Sequence, residues 1–313
     1  MSFPGTERGS SRDLLTGAAY GAVAGLMMAS TTFSALGFVL FLWLSPVPLF
    51  LAGFDRGLKA GWSAAVAALP AMLLMGVPVE AVGELAVLIV LPAALLTSLA
   101  LLPGGRREER LVLALLAIGV VLLYVQWMRL PPESEFIGAL QRLMGPSPEA
   151  PLPLKELAQF YLRWFGIVVV VLLAWYSFCG TLAAGLARKG RAPALDRLWM
   201  GNAGVPRWFG GITAVLMLAT WLSGSSSDEA VAVASRNLLV LALFGHGLAG
   251  LGVVHTLFRV NRISLPVRII VYLLGFIFSG IVGMALVTLG LIEQWAGLRR
   301  RMTAAAHKAD EER

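Results

Sequence analysis

His246 and His255 are the imidazoles that lie within apolar sequence, where a ring nitrogen can bind a metal, accept a proton or hold a ligand. Their spacing excludes a shared metal. Nine residues at 100° per residue is about 180° around a helix, so the two rings leave opposite faces. The chain has no HExxH pattern and no cluster rich in His and Cys, so no metal centre is expected. Cys179 is the single cysteine, which rules out an internal disulfide or a thiolate site built within one chain. An ionisable residue inside a membrane is a functional candidate by default. His246 is therefore a candidate ligand contact, with a neutral imidazole hydrogen-bonded between helices as the plainer alternative. His255 stands beside Arg259 and is expected at an interface.

A second group joins aromatic and polar side chains. Tyr124, Gln126 and Trp127 close one apolar segment, Tyr161 and Trp164 open the next, and Glu133 lies between them. Such residues can wall a cleft for a small ligand, or they can anchor helices at the membrane surface. Glu80 and Glu84 are one turn apart, so two carboxylates on one face can attract a cation or suit a helix N-terminus. Arg236-Asn237 opens a further apolar segment, and Arg236 is expected to snorkel or to pair with Asp228 or Glu229. There is no GxxxxGK[ST], no GxSxG, no Ser-His-Asp spacing worth defending and no ladder of arginines. An enzyme is not expected, and neither is a cofactor.

The elements that must position these groups are membrane helices. Of the 313 residues 58% are hydrophobic and 14% charged, with a mean hydropathy of +0.79. Soluble domains carry roughly 25% charged residues, so a soluble fold is excluded. Nine apolar stretches approach the roughly 20 residues that cross a bilayer as a helix. They are 14–30, 35–52, 58–76, 82–102, 111–128, 160–187, 209–222, 233–258 and 267–292. The predicted fold is all-α, a polytopic transmembrane helix bundle of eight to ten spans. Thr31–Ser34 is a tight hairpin if both flanking stretches cross, and Pro46 and Pro48 should bend or end the second.

The net charge of +7 sits in short loops, which points to topology and anionic lipid and not to nucleic acid. With a cytoplasmic N-terminus, 15 Lys and Arg fall in inside segments and five (Arg129, Arg142, Lys155, Arg163 and Arg236) in outside ones. The expected location is a bacterial inner membrane, multi-pass, N-terminus inside. The alternation fails at the tail, where Arg299–Arg301 argue for the cytoplasm. Gly290–Arg301 reads as an interfacial anchor. The first segment is expected to be an uncleaved helix, not a removed leader.

Gly17, Gly21 and Gly25 recur every fourth residue, with Ala18 and Ala22 beside them. That stripe allows close helix packing, either within the chain or against a separate membrane subunit. The 129–159 loop is the only sizeable polar piece. Phe136, Ile137, Leu140, Leu143 and Met144 share one helical face there, ahead of a Pro-rich stretch.

Gly247–His255, then Leu289–Trp295 with Leu298–Arg301, together with the Gly17–Gly25 repeat and Pro46-Val47-Pro48-Leu49 before Gly57, resemble the YybS-like family. That family comprises uncharacterised bacterial inner-membrane proteins that carry a domain of unknown function and are distantly similar to the S components of energy-coupling-factor transporters. The resemblance implies a cytoplasmic segment at 1–13 and a six-span, S-component-like bundle at 14–187 with an outer lid at 129–159. The additional spans at 188–292 depart from that plan, and the charges of 293–313 point to a basic cytoplasmic tail. The resemblance also implies docking through Ala18 and Ala22 on a membrane coupling subunit with a separate ATPase. The expected function is a substrate-binding or permease-like transport subunit for an unidentified small molecule. The alternative is a scaffold or regulator that binds other membrane proteins.

Overall fold

The computed structural model describes residues 11–30, 41–101, 107–144, 154–187, 203–223, 229–277 and 279–311. Among them every regular element is a helix. In chain order these are α1 (Ser11–Ala29), α2 (Pro46–Arg56), α3 (Leu58–Leu74), α4 (Val79–Leu101), α5 (Arg107–Met128), α6 (Glu133–Met144) and α7 (Leu154–Trp164). Then come α8 (Gly166–Ala187), α9 (Phe209–Ser223), α10 (Glu229–Val260), α11 (Leu265–Ile277), α12 (Ser279–Ala296) and α13 (Leu298–Glu311).

Four of these helices, Val79–Leu101, Glu109–Met128, Gly166–Ala187 and Glu229–Val260, are long and apolar enough to cross a membrane. A fifth is reached if α12 and the start of α13, bent by 74°, form one span. The expected eight to ten spans are not supported, and the reasons are local. Some expected stretches form apolar helices shorter than these, such as α3 with 17 residues and α9 with 15. The last stretch divides into α11 and α12. The second lies partly outside the described residues, as does the Thr31–Ser34 turn.

The helical residues 41–44 stop at a turn at Ser45 and α2 begins at Pro46, so the proline pair ends one helical piece, as expected, and also begins the next. Proline lacks an N–H, and the first helical turn needs none. The turn at Ser45 leaves the Trp43 carbonyl outside the α2 ladder. It accepts the Trp175 indole N–H at 2.6 Å and the Cys179 thiol at 3.3 Å. A π-helical stretch over Ala86–Val90 precedes Pro92 in α4, and the Leu91 N–H donates to the Ala86 carbonyl.

The glycine stripe of α1 is spent inside the chain. A Cβ on Gly17, Gly21 or Gly25 would overlap the carbonyl oxygen of Ala60, Ala64 or Ala68 on α3. Ala18 and Ala22 lie beside this contact, half-buried. The same device joins α10 to α12, where a Cβ on Gly250 would overlap the Leu286 carbonyl and one on Gly290 the His246 carbonyl. Helix α8 packs on α2 and α10, and α5 also meets α10. The helices before residue 188 and those after 202 thus share contacts. Most of the basic 188–202 stretch lies outside the described residues.

The basic segment from residue 293 to 311 is helical on either side of Gly297. Gly297, at φ +59°, forms the elbow between α12 and α13. Glu293 holds the elbow by accepting from the Arg299 side chain at 2.9 Å and from the Arg299 backbone N–H at 3.1 Å.

Candidate functional site

The residues expected to wall a cleft come from α5, α6 and α7. Helix α7 is amphipathic and turns Tyr161 toward the end of α5, where the Gln126 side-chain amide donates a short hydrogen bond to the Tyr161 hydroxyl. Phe136, from the apolar face of α6, stacks on the Tyr161 ring at 4.6 Å with planes 11° apart. Gln159 donates to Glu133 at 3.3 Å and ties α7 to α6 a second time. Burial pushes the Tyr161 phenol above its ordinary range by penalising the phenolate, so it stays a hydrogen-bond donor at neutral pH.

Trp127 packs edge-on against Phe165 at 6.1 Å. Trp164 stacks beside Phe160 at 6.5 Å and presents its face to the Arg236 guanidinium at 5.1 Å. The chain turns at Phe165 between α7 and α8, and that junction would leave backbone groups unpaired. Asn237, 1% exposed, satisfies them. Its Oδ1 accepts the Gly166 N–H at 2.6 Å, and its Nδ2 donates to the Arg163 carbonyl at 3.1 Å and to the Val233 carbonyl at 2.7 Å. Arg163 pairs with Glu229 at 3.7 Å and Arg129 with Glu84 at 3.2 Å, both exposed.

Gln126, Trp127, Glu133, Tyr161 and Trp164 therefore meet in one region. Tyr124 does not join them. It is 64% exposed on another face of α5. His246 stands apart as well. It lies nine residues beyond Asn237 on α10, about 14 Å along the axis. There it is fully buried, with Nε2 2.9 Å from the Thr213 hydroxyl and its ring 5.3 Å from Phe209. His255 lies 3.3 Å from the Tyr272 hydroxyl.

Of the alternatives for Arg236, pairing with Glu229 is not the one formed: Glu229 pairs with Arg163, and the Arg236 guanidinium lies over Trp164. Asp228 lies outside the described residues. Of the alternatives for Glu80 and Glu84, Glu80 stands in the first turn of α4, as suits a helix N-terminus, and Glu84 pairs with Arg129 at the surface. Asn237 and Gln159 were not singled out as site residues by sequence reasoning. For Asn237 there was one sign, an amide set in an apolar run. Among the described residues no group of three or more His, Cys, Asp or Glu could hold a metal ion.

The fold and this region define an all-helical protein with apolar helices long enough to span a membrane, which suits a membrane protein. No protein-family model matches the chain, and no curated protein or solved structure matches it.

Proposed function

We propose that this protein is a substrate-binding or permease-like membrane subunit that takes up a small molecule where α5, α6, α7 and α10 meet. The observation that carries the reading is the convergence of Gln126, Tyr161, Phe136 and Glu133 from three helices, with amphipathic α6 as a roof. Aromatic faces with a few placed polar groups are the usual chemistry of a small-molecule site. On this reading the chain performs no catalysis, and a separate ATPase module would supply energy, as the resemblance to YybS-like proteins implies. The site would face outward from a bacterial inner membrane, with the N-terminus cytoplasmic. A count above five spans would require the shorter apolar helices, such as α3 and α9, to cross as well.

Both this reading and the scaffold alternative drew on the small-residue stripe of α1 for docking, and α3 already fills its glycine face. The stripe therefore favours neither, and the aromatic and polar convergence is what supports the binding subunit. The test is native purification in mild detergent, with mass spectrometry of protein and small-molecule content. A bound metabolite that is lost from Y161A and F136A chains, or a copurifying ATPase, is the expected result. A chain that brings neither, or only unrelated membrane proteins, would sink the proposal.

A further inference from the structure

Arg236 lies two turns into α10, half-buried, with the carbon of its guanidinium 5.1 Å from the centre of the Trp164 ring. Among the described residues nothing else engages it. No carboxylate stands within ion-pair distance, and no acceptor takes one of its N–H groups. The neighbouring acid on its own helix, Glu229, is held by Arg163. Arg268 differs, since it donates to the Ile263 and Phe258 carbonyls, and so does Arg299, which is paired with Glu293.

A guanidinium has five donors in one plane. The guanidinium carbon lies over the Trp164 ring, and its N–H groups meet no acceptor among the described residues. The edge of a guanidinium matches the two oxygens of a carboxylate or phosphate. Tyr161 lies one turn before Trp164 on α7. Its oxygen accepts from Gln126, and its own hydrogen meets no acceptor among the described residues. Asn237 is not Arg236's partner: its amide bonds are to the Gly166 N–H and to the Arg163 and Val233 carbonyls. A cationic ligand at this corner would meet Arg236 as a like charge.

From these contacts we infer that the Arg236 edge is an oxyanion-binding position, and that the molecule taken up at this end carries a carboxylate or phosphate group. The inference rests on the binding-subunit reading and narrows it to anionic ligands.

The test uses the full chain in an uncharged sugar detergent at constant ionic strength. Inorganic phosphate, succinate, glucose and choline are titrated, with the thermal unfolding midpoint and tryptophan fluorescence as readouts. Native mass spectrometry with phosphatidylglycerol examines a lipid source for the same oxyanion. The expected result is a saturable response to phosphate or succinate that weakens by about tenfold or more in R236Q. R236K, which keeps the charge but loses the planar fork, is expected to fall between the two, and it carries the test if R236Q does not fold. Retention of phosphatidylglycerol that depends on Arg236, without a response to soluble anions, would uphold the oxyanion position and assign it to a lipid headgroup. Equal anion responses in wild type and variants would overturn the inference. A response to glucose or choline alone would overturn it and leave the binding-subunit reading standing. No response to any probe would count against both.

Discussion

Asn237 does more for this fold than its type suggests. One side chain supplies an acceptor for the Gly166 N–H and donors for the Arg163 and Val233 carbonyls, at a helix junction with little water to replace them. Removing it leaves a buried donor and a buried acceptor unmatched, and an unmade buried hydrogen bond costs more than a made one contributes. N237A is expected to lower stability by about 2–4 kcal/mol, summing those two groups. Chemical or thermal unfolding in detergent measures it, and a change below about 0.5 kcal/mol, the usual range for surface positions, would refute the role. Residue-scale legibility was uneven. Gln126, Trp127, Tyr161 and Trp164 were readable because polar and aromatic side chains at the ends of apolar segments are rare enough to notice. The pairing of Glu229 with Arg163 was not, because an exposed charge has several partners within reach and only their placement selects one.

At the scale of elements, close packing is the governing feature, and two glycines with opposite surroundings test it. Gly21 faces the backbone of α3, so an added methyl group must push two helices apart. Gly83, in α4, has nothing within 4 Å of where its Cβ would stand. Replacing a helical glycine by alanine gains about 1 kcal/mol of helix propensity in either case. Overpacking costs typically 1–3 kcal/mol, so at Gly21 the clash offsets the gain or exceeds it. G83A is expected to raise the unfolding midpoint and G21A to lower it or leave it unchanged. The reverse order would show that the α1–α3 contact is loose. Element existence was legible in the sequence, because long apolar runs have few other solutions in a bilayer. Element boundaries were less so. Pro46 and Pro48 signalled the end of a helical piece, but not that α2 would begin at Pro46 itself, after the turn at Ser45.

At the scale of the whole molecule, one thiol reports on packing. Cys179 is buried among α8, α2 and the Trp43 turn, with its sulfur 3.3 Å from the Trp43 carbonyl. As the only cysteine in the chain it gives an unambiguous signal. A maleimide is expected to leave the folded chain in detergent unlabelled and to label it fully after denaturation. Rapid labelling of the folded chain would mean that this interior is open. What the sequence determined by itself is the class of molecule: a helical chain whose apolar segments are long enough for a bilayer. Composition and segment length suffice there, because lipid offers backbone groups no partners and forces them into helices. What only the tertiary structure decided is which segments stay whole, that the glycine face of α1 is filled by α3, and that Tyr161 meets Gln126 while His246 stays about 14 Å away along α10. Those outcomes depend on contacts between residues distant in the chain, and no local pattern encodes them.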